Sequence, residues 1–273
     1  MFEKVGGQMR PVKRAVKHLI RFHQINQQFA GLILACLFLT CCGANGSDGL
    51  PKGALGRTEP LVNPVLLGYY ESFLESQDID TFLQNILARY NDSTLLRLLE
   101  STQVETRRAS VLALGLVGGP QCNSPVAARM KDSDPVVRRF AENALWGIWF
   151  RSDSTANNEE LTAVRNLLSE ERFEEAMTRV NALISKAPQF AEAWNQRAIL
   201  HFTRGDLQKS VDDCREVVKR NPFHFGAMSG MAQSLVKLGK PNEALDVFKA
   251  QIKIQPHNEA VQAAIESLER GRL

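Results

Sequence analysis

Pro188, Pro222 and Pro256 stand 34 residues apart, and Gly205 and Gly239 keep the same interval. Within each interval apolar residues recur at helical spacing. The pattern predicts two helices, a glycine turn between them, and a proline where the second helix ends. Ala176, Ser210 and Ala244 share this register and supply a small side chain where the two helices cross. A helical hairpin of this length cannot cover its own apolar face, so it is stable only when stacked on neighbours.

A second interval, of 31 residues, runs upstream. Ser93-Thr94-Leu95 precedes Ser124-Pro125-Val126 by 31, Arg107-Arg108 precedes Arg138-Arg139, and Ala113-Leu114 precedes Ala144-Leu145. Each unit reads as a short helix, a polar turn and a longer helix, and a further helix is expected from Asp80 to Tyr90. No stretch alternates at period two for long enough to make a strand. The fold class is therefore all-α, built of helical-hairpin repeats.

The residues carrying these intervals resemble two families. The stretch AWNQRAILHFTRGDLQKSVDDCREVVKRNP, with Trp194, Ala198, Gly205, Ser210 and Pro222, is similar to a tetratricopeptide repeat. Met228, Ala232, Gly239, Ala244, Phe248 and Pro256 repeat the pattern. An earlier unit keeps Phe173, Ala176 and Pro188 but has Glu171 at the turn. Upstream, Asp134, Val137, Arg138, Ala141, Ala144 and Leu145 resemble the second helix of a HEAT repeat. The first copy departs from it, with Gln103 and Thr106 in place of the Asp and Val.

The N-terminus is of a different kind. Lys4, Arg10, Lys13, Arg14, Lys17 and Arg21 precede an apolar run, FAGLILACLFLTCC, from Phe29 to Cys42. Fourteen residues make about 21 Å of helix, short of a hydrocarbon core of about 30 Å. Leu39-Thr40-Cys41-Cys42-Gly43 resembles the lipobox of bacterial lipoproteins, which implies lipidation at Cys42; an uncleaved anchor is the other reading. The sequence thus divides into 1–42, signal peptide or membrane anchor; 43–60, a Gly- and Pro-rich tether; 61–150, HEAT-like repeats; 151–160, a polar linker; and 161–273, tetratricopeptide repeats closed by a capping helix. The expected location is the cell envelope, lipid-anchored on the periplasmic side.

The formal charge of +3 comes from this leader. Without residues 1–41 the chain holds 27 basic and 29 acidic side chains, so no basic footprint for nucleic acid remains. No P-loop, Rossmann glycine pattern, nucleophile elbow or zinc-helix motif is present, and the five histidines (18, 23, 201, 224 and 257) are scattered. Neither a catalytic site nor a metal site nor a cofactor is expected, and the chain reads as non-enzymatic. His201 and Cys214 read as core. Cys122, in the turn GGPQCNSP, is expected to be the more exposed cysteine. Trp146, Trp149 and Phe150, at i, i+3 and i+4, form a stripe expected at the seam between the arrays. Arg107-Arg108 and Arg138-Arg139 are expected to pair with acids of neighbouring units, the alternative being a phosphate-binding ladder.

The expected function is a protein-protein interaction scaffold that holds an extended peptide or a partner protein in the repeat groove, with membrane lipid contacted through the N-terminal anchor. Likeness to the tetratricopeptide family places the groove on Glu192, Asn195, Ile199, Phe202 and Thr203 in one repeat, and on Ser229, Gln233, Val236 and Lys237 in the next. The two-carboxylate clamp of chaperone-tail modules is missing, since Gln196, Ser229 and Gly230 occupy its places. A chromophore-attaching lyase, by likeness to HEAT-like phycobilin lyases, and nucleic-acid binding through the arginine pairs are the alternatives.

Overall fold

The computed structural model describes residues 65–271. The expected lipidation site Cys42, the expected leader 1–42 and the expected tether 43–60 lie outside the described residues. The described chain forms α-helices and two short 3-10 turns, with no strand among the described residues. It falls into two compact units that divide between Asn85 and Ile86, inside the segment expected to be a single HEAT-like region.

In the first unit, α1 (Val65–Ser76) is followed by α2 (Ile79–Arg89), which runs across the division. Gln77 adopts the left-handed conformation at φ 55° and turns the chain. Asp78 caps α2, with Oδ1 accepting from the backbone N–H groups of Asp80 and Thr81 at 3.1 Å each. This satisfies donors that a helix start leaves unpaired. Phe73 and Phe82 pack with ring centroids 5.5 Å apart.

The second unit opens with α3 (Asp92–Leu98) and α4 (Val104–Val117), then α5 (Asn123–Ala128) and α6 (Pro135–Phe150). These are the two hairpins that the 31-residue interval predicts. Asn91 and Asp134 cap α3 and α6 by accepting from the N–H groups of Thr94 and Val137 at 2.9 and 2.8 Å. Leu95, Leu99, Ala109, Leu114, Val126, Met130, Val137, Ala141, Leu145 and Ile148 are buried. The buried Arg151 guanidinium donates to the carbonyls of Gly115 and Gly118 at 2.8 and 3.3 Å and so closes the end of α4.

The expected linker 151–160 is shorter in the structure. Only Arg151–Ser154 form a turn, and α7 begins at Thr155 because the Ser154 hydroxyl accepts from the Asn157 N–H at 3.3 Å. Polar composition marks a boundary here, but Thr155–Glu160 already belong to a helix. Three hairpins follow: α7 (Thr155–Ser169) with α8 (Phe173–Lys186), α9 (Ala191–Thr203) with α10 (Leu207–Arg220), and α11 (Phe225–Lys237) with α12 (Pro241–Ile254). The last helix, α13 (Glu259–Glu269), caps the array. Gly205 and Gly239 take φ of 81° and 72° at two of the turns, and Glu171 takes 59° at the third, without glycine's freedom from steric cost. Ala176, Val180, Leu183, Phe190, Ala193 and Leu200 form one core cluster; Ala198, Val211, Val217, Ala232, Leu235, Ala244 and Phe248 form a second.

Candidate functional site

The first helices of the three hairpins, α7, α9 and α11, carry the positions at which the sequence places a groove. Glu192 stands in the first turn of α9 and is 1% exposed, and Asn195, one turn later, is 4% exposed. Glu192 Oε1 accepts from Asn195 Nδ2 at 2.8 Å and from Gln196 Nε2 at 2.7 Å. Its Oε2 lies 2.9 Å from His224 Nε2. The other His224 nitrogen, Nδ1, accepts from the Ala227 N–H at 3.0 Å and caps α11. With Nδ1 an acceptor, Nε2 carries the proton and donates to Glu192.

Against His224, the partner of Glu192, lies α6. Trp149 stacks on His224 with centroids 4.1 Å apart and planes 18° apart, and Trp146 meets Phe225 edge to face at 5.5 Å. Phe150 lies under the Arg165 guanidinium of α7, 4.2 Å from the ring centroid. Trp149 Nε1 donates to Asn123 Oδ1 at 2.7 Å, and Asn123 Nδ2 donates to Asn221 Oδ1 at 2.9 Å. At the other end, Gln255 Nε2 donates to Glu142 Oε1 at 2.8 Å. Burial raises the pKa of Glu142, against the Gln255 bond and Arg138.

Gly226 shows how close the approach is. A Cβ built there would lie 2.5 Å from Trp146 Cη2 and 2.8 Å from Cζ2. The aromatic stripe is therefore the seam between the arrays. It packs on the N-terminal end of α11, at the His224 that bonds Glu192, and the reading of Glu192 and Asn195 as open lining is corrected by their burial: both are almost fully buried and bonded to each other.

The C-terminal half of the same face stays uncovered. Ile199, Phe202, Gln233 and Val236 are half-buried, while Thr203 and Lys237 are exposed. Lys237 Nζ sits 4.7 Å from the centroid of the Phe202 ring, joining α9 to α11 by a cation-π contact. Ser229, half-buried between the two halves, donates from Oγ to Gln251 Oε1 at 3.0 Å. Ile199, Phe202 and Thr203 follow Glu192 and Asn195 along α9, and Gln233, Val236 and Lys237 follow along α11, with the Lys237–Phe202 contact joining the two helices as a strip less buried than Glu192 and Asn195. The covered half went unforeseen because Gly226 and Trp146 are 80 residues apart in sequence and neither predicts the other.

The remaining candidates take structural roles. Arg107 bonds Asp132 through two nitrogens at 2.8 and 2.9 Å, and Arg108 bonds Asp134 at 3.0 and 2.6 Å. Arg138 Nη1 donates to the carbonyls of Asp132 and Ser133 at 2.9 and 3.0 Å. Arg107 and Arg108 thus tie one hairpin to the next, as expected, whereas Arg138 braces the turn of its own hairpin rather than pairing with an acid of a neighbouring unit. His201 is half-buried beside Asp206 and Asp213, at 3.5 and 3.7 Å, and burial lowers its pKa. Cys214 is buried as expected. Cys122, expected to be exposed, is fully buried, because its turn folds inward as a 3-10 turn, Pro120–Cys122, ahead of α5. Burial pushes both thiols up to about 12. Among the described residues no group of His, Cys, Asp or Glu is placed to hold a metal ion, and no helix is long and apolar enough to cross a membrane.

Comparison with known proteins agrees with this architecture. A family model described as tetratricopeptide repeat matches residues 161–225. A TPR repeat-containing protein of Rhizobium etli is 30% identical over 138 residues, covering 50% of this chain and 68% of that protein. The small glutamine-rich tetratricopeptide repeat-containing protein of Dictyostelium discoideum is 31% identical over 103 residues, 38% of this chain and 31% of its own length. Among solved structures, a MamA mutant aligns at a TM-score of 0.38 and 16% identity, covering 56% of this chain and 87% of that one. The TPR2AB-domain:pHSP90 complex of yeast Sti1 aligns at 0.38 and 11%, covering 76% and 96%. With three hairpins at the 34-residue interval and a relative matched over more than two thirds of its length, the chain belongs to the tetratricopeptide-repeat proteins.

Proposed function

We propose that this protein is a non-enzymatic interaction scaffold, held at a bacterial membrane through its N-terminal segment, which docks a partner protein on the uncovered strip of its repeat face. The observation that carries this reading is the strip itself. Half-buried Ile199, Phe202 and Val236 lie beside an exposed lysine on a face whose other half is already filled by α6. Apolar side chains left half-covered next to polar groups able to orient a ligand are the usual makings of a docking site. The coarser part of the reading, protein-protein interaction, is supported by membership of the tetratricopeptide-repeat family. The lipobox-like Leu39–Gly43 segment supports the membrane anchor.

A partner reaching this strip contacts two first helices near their C-terminal ends, so a short segment suffices and a peptide laid along the whole groove is disfavoured. Photo-crosslinking in intact cells tests this. A photoreactive residue at Thr203 is expected to capture a partner protein, and one at Gln208, exposed on α10, is expected to capture none. Equal capture at both positions, or none at Thr203, refutes the strip as the docking surface. Replacing Cys42 by Ala and fractionating membranes tests the anchor: release of the protein into the soluble fraction is expected, and unchanged membrane retention refutes lipidation at Cys42.

A further inference from the structure

The face that α6 turns to the tetratricopeptide array carries one acid among aromatic rings. Glu142, Trp146, Trp149 and Phe150 stand at i, i+4, i+7 and i+8, on a single side of the helix. Trp146 and Trp149 meet Phe225 and His224, and Phe150 lies under Arg165. A seam built for adhesion alone would continue with an apolar side chain at 142. Glutamine would make the Gln255 bond there with no charge to bury. A carboxyl group has neither advantage.

What Glu142 does have is the receiving end of a hydrogen-bond chain. Ser229 Oγ of α11 donates to Gln251 Oε1 at 3.0 Å, Gln251 Nε2 donates to Gln255 Oε1 at 3.0 Å, and Gln255 Nε2 donates to Glu142 Oε1 at 2.8 Å. Neutral groups of the repeat array thus aim their donors, one after another, at a carboxyl of α6. The charge that bears on it is Arg138, one turn earlier on α6, whose guanidinium also bonds the carbonyls of Asp132 and Ser133. The other titratable groups at the seam are less free to change state. Burial lowers the Arg165 guanidinium of α7 to about 9, against the charge of Glu192 on α9, so it keeps its proton at neutral pH. His224 of α11 uses both ring nitrogens, and a second proton at Nδ1 would cost α11 its cap. Glu142, by contrast, can gain or lose a proton and keep its bond, since Oε1 accepts from Gln255 in either state.

We propose that Glu142 makes the seam between the two arrays pH-sensitive: with its proton on, α6 is held against the tetratricopeptide array, and with its proton off, the seam loosens about the Arg151–Ser154 turn. The direction follows from burial, which raises the pKa of Glu142 above 4.5 in the closed seam. The closed form therefore binds the proton more tightly than a form with Glu142 in water. Closure is strongest below 4.5 and weakens as pH rises through the raised value, by at most about tenfold in the closed-to-open ratio per pH unit for one proton. Above the raised value it is constant. The strip at Phe202 and Lys237 plays no part in this.

Amide exchange followed by NMR on the full chain, corrected for the intrinsic pH dependence of exchange, tests the seam. The Ala227 N–H, bonded to the His224 ring on which Trp149 stacks, is the reporter; the Thr94 N–H, bonded to Asn91 Oδ1 in α3, is the reference. From acid to pH 8, protection at Ala227 in the wild-type chain is expected to fall at least about threefold relative to Thr94, in step with the 13C shift of the Glu142 carboxyl. In Glu142→Gln it is expected to stay high and flat. Wild-type protection that ignores pH, or that falls as far in Glu142→Gln, would overturn the proposal. A Glu142 carboxyl that titrates at or below its ordinary value would do the same without any variant having to fold. Protection that falls toward acid instead would assign the response to His224 and overturn it too.

Discussion

A methyl group at position 226 is the sharpest probe of the junction between the two arrays. Gly226 is the second residue of α11, and on a solvent-facing helix replacing it by Ala would add up to about 1 kcal/mol of stability through backbone propensity. Here the added Cβ would lie 2.5 Å from Trp146 Cη2, 2.8 Å from Cζ2 and 3.5 Å from His224 Cε1. Carbon atoms rest at about 3.5 to 4.0 Å, so α6 and α11 must separate by about 1 Å or Trp146 must leave its rotamer. Overpacking of this kind costs about 1 to 3 kcal/mol. The sign is therefore reversed: Gly226→Ala is expected to lower stability by about 1 kcal/mol, which is about 2 to 4 °C in Tm for a chain of this size. In a Trp146→Ala background the same change is expected to be neutral or stabilising, giving a coupling of at least about 1 kcal/mol in a double-mutant cycle. Urea unfolding followed by far-UV circular dichroism measures both. If Gly226→Ala raises the stability of the wild-type chain, the seating of α6 on the groove face is refuted.

Four further outcomes follow from the same structure. Arg107→Ala leaves the Asp132 carboxylate buried without its two-pronged partner and is expected to cost about 2 to 4 kcal/mol in urea unfolding, whereas Arg172→Ala, at an exposed ion pair, is expected to leave the urea midpoint nearly unchanged. The Arg108 bond holds Asp134 below its ordinary pKa of 3.8, so this pair stabilises the fold above that value and the contribution is lost as pH falls through the depressed pKa; Arg108→Ala is expected to flatten that acid limb. Glu142 behaves in the opposite sense. Burial raises its pKa, so stability declines as pH rises from 4.5 through the raised value, and Glu142→Gln is expected to be more stable than wild type at pH 7 but not at pH 4. Finally, Cys122 and Cys214, with thiols pushed up to about 12, are expected to resist alkylation at pH 8 until the chain is unfolded; modification of the native protein at either residue, mapped by mass spectrometry, would contradict their burial.

The parts of the structure legible in the sequence are those fixed by backbone chemistry within one hairpin. Pro188 and Gly205 mark a helix end and a turn because of their own φ preferences, so the 34-residue interval and the α7–α12 hairpins were readable directly. The 31-residue pair was readable from the recurring arginine pair and Ala-Leu step of its second helices, and the role of the Trp146, Trp149 and Phe150 stripe was readable because aromatic residues at i, i+3 and i+4 must be covered by something. The state of the groove was not legible. Glu192 and Asn195 occupy lining positions by register, but whether a lining position faces solvent depends on a helix that ends more than 40 residues earlier. His224 carried a partial signal: a histidine just before the helix-starting Phe225-Gly226 looks like an isolated side chain until its Nδ1 is seen capping α11 and its Nε2 bonding Glu192. Cys122 misled because its Gly- and Pro-rich turn resembles a surface loop, whereas the turn folds inward against α3, with Gly119 N–H donating to Asp92 Oδ2 at 3.1 Å.

The division of the repeat face into a covered half and an open half is tested most directly by thiol accessibility at two positions of α9. With cysteine placed in turn at Asn195 and at Thr203, and maleimide modification timed on the folded chain, Thr203→Cys is expected to react at nearly the rate of a free peptide thiol. Asn195→Cys is expected to react at least about a hundredfold more slowly, and to gain reactivity when Trp146 and Trp149 are both replaced by Ala. Equal rates at the two positions in the otherwise wild-type chain would mean that α6 does not cover the groove, and the account built on it would fall.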